Sequence, residues 1–425
     1  MKSLFQNAVV KNAGWIMFGR IAQMLINLIV GLMTARYLGP SNYGLINYAT
    51  AYTAFFMAFC TLGINSVLVK EFVDYPDDEG KIIGSTLVMR AISSFCSAII
   101  IILLVSIIDA DEEITIIVTS LSCVGLFFQI FETINYWFQS KLKSKISAFV
   151  TFIAYIVTAI YKIVLLFMGK SVEWFAFATS VDYICIGILL LFSYKRYGGR
   201  KLVYSREVCK RILAKSVPFI LPSLMVSIYG YTDKFMLKQM LSEIEVGYYS
   251  TATTICGMWC FVLTAIIDSV YPTIMSAYKK SITIFEKRNK QLYAIIFYVS
   301  VLVSLIICSF GKIIVNILYG PYYTPSVSAL RVVTWYTSFS YLGVARNAWI
   351  VCENKQKYLK YIYISAAICN ILMNLVLIPK YGIIGAALAS LLTQIFTTII
   401  VPNFIKPIKR NSQLMLEAIM LKDIK

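Results

Sequence analysis

Ionisable side chains inside apolar runs are the residues of this sequence that could do chemistry. Six are basic and four are acidic: Arg20, Arg90, Lys162, Lys234, Arg331 and Arg346, with Glu132, Asp182, Asp233 and Asp268. The basic excess predicts a cavity of positive potential that binds an anionic substrate, because arginine forks match the oxygens of a phosphate. The carboxylates are candidates for ion or proton coupling, because protonation switches their charge.

The depth of a charged residue within its apolar run indicates whether its side chain could reach water or must lie inside the protein. Arg20, Arg90 and Asp182 lie about eight or more residues inside their runs, which is roughly 12 Å along a helix. A charge at the bilayer centre costs about 2.5–3.5 kcal/mol. We therefore expect these three side chains to line a wet cavity; a buried structural ion pair is the alternative. Lys162, Arg331 and Arg346 lie nearer the ends of their runs, where they could instead reach the water interface. Asp233 or Lys234 could form a salt bridge between helices.

The residue types that usually hold metals and haems are absent or scattered. The chain has no His, which excludes a His-ligated metal, a His-ligated haem and a His-based catalytic triad. Its 10 Cys are spread mostly through the apolar runs without a CxxC pair, so we expect no disulfide framework. We therefore predict no cofactor, no metal site and no catalytic residue.

The elements that position these charges are predicted to be membrane-spanning helices. Of the 425 residues, 59% are hydrophobic and 14% are charged, whereas a soluble domain carries about 25% charged residues. Apolar runs such as 95–108, 150–168 and 290–310 approach the roughly 20 residues that a helix needs to cross a bilayer. They are apolar on every face, which excludes the alternating strands of a barrel. The predicted fold class is an all-α integral membrane protein.

The runs and the turn signals between them predict twelve transmembrane helices. These cover residues 12–35, 43–69, 82–108, 114–138, 146–168, 173–194, 212–238, 246–272, 290–311, 328–352, 358–378 and 384–405. The connecting segments hold 28 Lys and Arg on one side and five on the other, which predicts that the first side, with both termini, is cytoplasmic. These juxtamembrane residues account for the net charge of +18, so the expected partner is the lipid bilayer and not a nucleic acid.

An internal repeat divides the predicted spans into two halves. ARYLGPSNYGLINYAT matches LKQMLSEIEVGYYSTAT, with Gly44 on Gly247 at an offset of 203, and GKSVEWFAFATS matches PKYGIIGAALAS at an offset of 210. Segments six spans apart keep one orientation, so the repeats are parallel, as in some transporter folds. The predicted domains are two six-helix lobes around a central cavity, at residues 1–205 and 206–425.

Three segments carry a resemblance that covers essentially the whole chain. They are NAGWIMFGRIAQMLINLIVGLMTARYLGPSNYGLINYA, TDKFMLKQMLSEIEVGYYSTA and NILMNLVLIPKYGIIGAALAS. The sequence resembles the Wzx-type flippases of polysaccharide repeat units in the multidrug/oligosaccharidyl-lipid/polysaccharide exporter superfamily. That resemblance implies two six-helix lobes in a V around the cavity, and alternating access coupled to a proton or sodium gradient.

The resemblance also implies a substrate and a location. The expected substrate is an undecaprenyl-pyrophosphate-linked oligosaccharide, moved from the cytoplasmic to the periplasmic leaflet of a bacterial inner membrane for O-antigen or other surface polysaccharide. Arg20, Arg90 and Arg331 are the expected contacts of the pyrophosphate and of acidic sugars. A polysaccharide polymerase and a chain-length regulator are the further partners that it suggests.

Two other functions remain open from the sequence. An ion-coupled exporter of small amphipathic compounds would have the same kind of spans, and drug-accumulation assays would distinguish it. A membrane-embedded polymerase or glycosyltransferase would need a large outer loop or a soluble catalytic domain, and every predicted outer loop is short. We therefore predict a flippase, with the exporter as the alternative.

Overall fold

The protein is built from α-helices joined by short turns. The computed structural model describes the backbone of residues 2–422 and, within it, the side chains of residues 14, 15, 19 and 23–422. The described part contains no strand. Its α-helices are α1 (Lys2–Thr61), α2 (Asn65–Asp74), α3 (Glu79–Ile108), α4 (Glu113–Gln129), α5 (Thr133–Ser140), α6 (Ser144–Phe167), α7 (Val172–Arg196), α8 (Arg206–Met240), α9 (Glu243–Lys280), α10 (Ile282–Leu318), α11 (Ser326–Cys352), α12 (Leu359–Tyr381), α13 (Ile383–Ile395), α14 (Val401–Phe404) and α15 (Lys409–Ile419).

Ten helical segments of the described chain are long and apolar enough to cross a membrane. They are Gln23–Asp74, Pro76–Ile108, Glu113–Ser140, Ser144–Phe167, Val172–Arg196, Arg206–Met240, Glu243–Lys280, Ile282–Leu318, Gln356–Tyr381 and Ile383–Phe404. Length and hydropathy of this kind mark helices that can span a bilayer. The predicted all-α membrane fold is therefore confirmed.

The count of twelve spans stays a prediction, and two segments explain the difference from ten. Helix α1 bends at Gly39, where φ is +71°, and Pro40 follows, so its apolar length contains two of the predicted spans. Helix α11 coincides with the predicted span 328–352 but is not apolar enough to be among the ten, because it carries two Arg and many hydroxyl side chains.

The chain divides by its internal contacts into two compact units. Unit 1 comprises residues up to 38 and residues 45–227, and unit 2 comprises 39–44 and 228–425. The first half of α8 belongs to unit 1, where the buried Glu71 carboxylate on α2 accepts from Arg211 Nε at 3.1 Å and pairs with Lys215. The predicted boundary between residues 205 and 206 stays a prediction.

Each unit has its own packed interior. In unit 1, the Trp137 ring lies 4.9 Å from the rings of Phe138 and Tyr194, and its indole nitrogen donates to Glu79 Oε2 at 2.9 Å. In unit 2, Trp349 and other apolar side chains of α9, α10, α11 and α15 form a buried cluster. Edge-to-face aromatic packing of this kind fixes the helices around it.

Two glycines of the predicted repeat meet within unit 2. A Cβ atom on Gly44 would lie 1.8 Å from the carbonyl oxygen of Glu243, and one on Gly247 would lie 2.1 Å from that of Pro40. Ser41 Oγ donates to Glu243 Oε1 at 3.1 Å beside this crossing. A side chain at either glycine would push the backbones apart, so only Gly permits the contact.

Helix α15 lies outside the spanning segments and packs against α10. Arg410 donates to Glu286 at 2.8 Å and to Glu417 at 2.7 Å, and Lys290 Nζ lies 3.2 Å from Glu417. The Glu286 carboxylate raises the pKa of Arg410 further above its ordinary value. Partial burial raises the pKa of Glu417, but the hydrogen bonds from Arg410 and Lys290 outweigh it and hold that pKa below the usual range.

Candidate functional site

A polar cavity of about 530 Å³ lies inside unit 1. Side chains from α1, the turn before α5, α5, α6 and α7 line it, and α1, α6 and α7 belong to segments apolar enough to span a membrane. Its polar lining residues are Gln23, Asn27, Glu132, Asn135, Tyr136, Gln139, Ser144, Ser147, Thr151, Tyr155, Thr179, Asp182 and Tyr183. A concave site of this volume is in the range of small-molecule sites.

Helical spacing brings these polar side chains together. On α6 the lining positions are 144, 147, 148, 151 and 155, and on α7 they are 179, 182, 183 and 186. Steps of three and four residues place side chains on one face of a helix. Gly19 of α1 packs closely on α6, because a Cβ on it would lie 3.3 Å from the Cβ of Ala148. One polar face from each helix thus points into the cavity.

Two carboxylates, Glu132 and Asp182, supply the charge of this lining. No Lys or Arg among the described residues belongs to it. Asp182 Oδ1, Asn135 Oδ1 and Ser147 Oγ are buried atoms without a hydrogen-bond partner in the described part of the chain. A buried polar atom left unpaired costs about 1–3 kcal/mol. The lining can therefore accept hydrogen bonds from a polar ligand.

Arg90 and Lys162, two of the predicted cations of unit 1, lie outside that lining. Arg90 is 0% exposed, and its Nη1 donates to Thr133 Oγ1 at 2.9 Å. It attracts Glu132, but no carboxylate of the described residues comes within 4.0 Å of it to form an ion pair. Lys162 attracts Asp182 in the same way. Among the described residues, the lining thus contains two carboxylates and neither Arg90 nor Lys162.

Unit 2 contains a buried carboxylate surrounded by donors. Asp233 is 5% exposed. Its Oδ2 accepts from Tyr249 and Ser390, each at 2.5 Å, and its Oδ1 accepts from Asn370 at 3.0 Å and Asn374 at 2.6 Å. Hydrogen bonds to a charged acceptor are stronger than neutral ones. The Asp233 carboxyl group thus joins side chains from four helices: α8, α9, α12 and α13.

The sequence positions these donors by two local features. Asn370 and Asn374 are four residues apart on α12, so both amides lie on one face. Helix α12 ends at Gly382, where φ is +57°, and a Cβ on Gly385 would lie 2.1 Å from the carbonyl oxygen of Leu377. This tight, left-handed turn favours Gly and returns α13 against α12. Ser390 is thereby brought to Asp233.

The remaining predicted site residues are dispersed. Arg346 is 4% exposed in unit 2, and its Nη1 donates to the carbonyl oxygen of Thr397 at 3.4 Å beside a π-helical turn. Lys234 is half-buried next to Asp233, and the two charges attract. Arg331 and Asp268 are exposed. The side chain of Arg20 lies outside the described residues.

Sequence reasoning missed the groups that surround both carboxylate sites. The donors to Asp233 and the amide and hydroxyl side chains of the unit 1 cavity were not among the predicted site residues. One signal was available: Asn370 and Asn374 are amides one turn apart inside an apolar run. Ser147, Thr151 and Tyr155 follow the same helical spacing on α6. Polar side chains that repeat on one face of an apolar helix indicate an interior partner.

The fold and the interior define a helical membrane protein with polar side chains inside its apolar segments. Residues 9–278 match the family described as polysaccharide biosynthesis protein. The chain belongs to that family, and the predicted resemblance is confirmed.

Known relatives agree with this assignment. The Staphylococcus aureus capsular polysaccharide biosynthesis protein CapF is 23% identical over 411 residues, covering 94% of this chain and 100% of CapF. The Escherichia coli K12 protein named as an O-antigen transporter is 22% identical, covering 89% of this chain and 93% of its own. The solved structure of the lipid II flippase MurJ in an inward closed conformation superposes with a TM-score of 0.69 at 16% identity, covering 97% of this chain and 91% of MurJ.

Proposed function

We propose that this protein flips undecaprenyl-pyrophosphate-linked oligosaccharide repeat units across a bacterial inner membrane by alternating access. The product would serve the assembly of O-antigen, capsule or another surface polysaccharide. Its family and its relatives in capsule and O-antigen synthesis support this proposal. The observation that carries it is the polar cavity of unit 1, because polar groups at membrane depth persist where they line a path for a polar cargo.

The proposed direction of transport follows from the position of that cavity along its helices. Its lining includes Gln139 and Ser144, which bracket the basic turn at residues 141–143. The predicted orientation places this turn, with both chain termini, on the cytoplasmic side of twelve spans. A cavity near the cytoplasmic end would receive the oligosaccharide head from the leaflet where it is made.

We propose Asp233 as the group that couples transport to an ion gradient. Its carboxylate holds four helices through four hydrogen bonds. Protonation would remove its charge, and a bound cation would compete for the same oxygens, so either event would weaken those bonds. Glu132 and Asp182 line the cavity and are the other coupling candidates; Asp268 is exposed and makes no such cluster.

The predicted cations take different roles in this proposal. Arg331 is exposed and available for direct contact with the diphosphate, whereas the completely buried Arg90 would act by positioning Thr133 and the adjoining Glu132. Arg20, Lys162, Lys234 and Arg346 remain candidates for the same anionic head. An Arg331→Gln variant is therefore expected to weaken transport more than a change at an exposed loop Lys.

The experiment is complementation of a deletion strain. Restoring the intact chain should restore surface polysaccharide and remove lipid-linked repeat units that accumulate in the cytoplasmic leaflet. Resistance to amphipathic drugs should not change. Loss of drug resistance on deletion, with surface polysaccharide unaffected, would instead establish the multidrug-type exporter.

A further inference from the structure

We propose that the segment joining α7 to α8 forms, with the adjoining helix ends, a binding surface for the headgroups of acidic phospholipids. We call it the connector surface, and its cations are Lys195, Arg196, Lys201, Arg206 and Lys210. None of these residues lines the unit 1 cavity. The occupant is the surface of the bilayer, and the recognised groups are phosphate-bearing headgroups with a net negative charge. This interaction goes beyond the proposed transport and does not depend on it.

The connector surface lies where two spanning segments end. Val172–Arg196 and Arg206–Met240 are both long and apolar enough to cross a membrane, and residues 197–205 join them. A chain that leaves the bilayer at residue 196 and enters it again after residue 206 stays close to the headgroups. The distribution of Lys and Arg predicts that this is the cytoplasmic side, where acidic lipids give the leaflet a negative surface potential.

The positive charge of the connector surface is not neutralised by the protein. Its five cations are exposed, and none of them lies within 4.0 Å of a carboxylate in the described part of the chain. Glu207 is the only acidic residue in the sequence 195–215. The Glu71 carboxylate already pairs with Arg211 and Lys215. The connector cations are therefore available to an anionic lipid surface, which attracts each of them.

The backbone of the connector is held in one place by the start of α3. The amide of Val203 donates to the carbonyl oxygen of Gly80 at 3.2 Å, and the amide of Ser205 donates to Ser85 Oγ at 2.9 Å. A Cβ on Gly80 would lie 2.2 Å from the carbonyl oxygen of Lys201, so only Gly permits this approach. A backbone that is already fixed loses little conformational entropy when its side chains bind.

Apolar side chains beside the cations suit the boundary between headgroups and acyl chains. The consecutive residues Leu202, Val203 and Tyr204 are 39%, 48% and 56% exposed. Tyrosine is enriched at membrane–water interfaces, because its ring is apolar and its hydroxyl is polar. A segment that combines basic and exposed apolar side chains binds anionic membranes through both charge and burial. The connector has both kinds of side chain at the ends of two spanning segments.

Lipid binding to the purified full-length protein in a neutral detergent tests this inference. The probes are phosphatidylglycerol and phosphatidylcholine, and native mass spectrometry measures the apparent affinity for the first bound lipid. The wild type should prefer phosphatidylglycerol by at least about tenfold. The variant Lys201→Gln/Lys210→Gln should lower the affinity for phosphatidylglycerol about thirtyfold, at about fivefold for each cation, and should leave the affinity for phosphatidylcholine unchanged.

Two matched variants separate a local surface from the overall positive charge. Lys357→Gln/Lys360→Gln removes the same charge from two exposed lysines near the start of α12, where each ammonium group lies over the ring of the following tyrosine. This control should change the affinity for phosphatidylglycerol by less than about twofold. Lys201→Arg/Lys210→Arg keeps the charge of the connector surface and should also retain the affinity within about twofold.

Several results would overturn the inference. They are an equal loss of affinity in the Lys357/Lys360 control, an undiminished affinity in Lys201→Gln/Lys210→Gln, and a loss in the charge-preserving variant. Displacement of phosphatidylglycerol by an equal concentration of inorganic diphosphate would also overturn it, because the surface would then bind a diphosphate group and not the bilayer. The midpoint of thermal unfolding verifies that each variant is folded, as expected for substitutions at exposed positions.

Discussion

Replacing Asp233 by Asn should separate the structural part of its role from its part in transport. The amide has nearly the shape of the carboxylate, so Asn370 and Asn374 can still donate to the remaining oxygen. The Tyr249 and Ser390 hydroxyls, each 2.5 Å from the other oxygen, would have to rotate and accept from the new NH₂ group. All four bonds then become neutral.

The magnitude follows from the difference between charged and neutral hydrogen bonds. A bond to a charged group contributes about 1.5–3 kcal/mol and a neutral one about 0.5–1.5 kcal/mol. Losing roughly 1 kcal/mol at each of the four bonds, and recovering part of the cost of burying a charge, gives a net destabilisation of about 1–3 kcal/mol. Asp233→Ala removes the acceptor entirely and should cost more, about 3–5 kcal/mol.

The assay pairs the midpoint of thermal unfolding in detergent with transport by the same preparations. Asp233→Asn should unfold at a modestly lower temperature, and Asp233→Ala at a much lower one, while both lose ion-dependent transport. Asp268→Asn is the matched control, because Asp268 is exposed in α9. Full gradient-dependent transport by a folded Asp233→Asn protein would refute the coupling role.

Two further predictions concern packing and pH. Gly44→Ala should destabilise the protein by about 1–3 kcal/mol, because its Cβ would lie 1.8 Å from the Glu243 carbonyl oxygen. Gly31 has open space around it, so the control Gly31→Ala should be neutral or slightly stabilising in the same unfolding assay. Equal stability of both variants would contradict the close contact at Gly44. Because the pKa of Glu417 is lowered in the folded protein, its ionised carboxylate stabilises the packed α15 fully at pH values above the unfolded pKa of about 4.3. That stabilisation is lost as the pH falls through the folded pKa of Glu417. In Arg410→Ala, α15 should therefore detach at a higher pH than in the wild type, which protease cleavage measured against pH would detect. An unchanged pH dependence of cleavage would show that the Arg410–Glu417 pair does not hold the helix.

The helices could be predicted from the sequence because hydropathy and length are local properties. Runs of apolar residues near twenty long marked most of the spanning segments, and LGPSNYG marked the break in α1 at Gly39. The match of Gly44 with Gly247 was visible in the sequence as a repeat. The close contacts of Gly44 with Glu243 and of Gly247 with Pro40 could not be predicted from it. Contact between segments 203 residues apart depends on tertiary packing, which no local pattern encodes.

The interior sites could be predicted only in part, because depth along a helix does not give direction around it. The depth of Arg90 and Asp182 within their runs indicates that placing either charge in the membrane costs free energy. Asp182 faces the cavity, whereas Arg90 is buried against Thr133. Which face a side chain takes depends on the neighbouring helices.

Transfer of a lipid-linked oligosaccharide between leaflets tests the central claim most directly. The intact protein is reconstituted into vesicles with a fluorescent undecaprenyl-pyrophosphate-linked oligosaccharide, and a membrane-impermeant quencher reports which leaflet holds the sugar. Vesicles with the protein should exchange the lipid between leaflets faster than protein-free vesicles, and an ion gradient should drive net transfer. Exchange no faster than in protein-free vesicles would contradict the account.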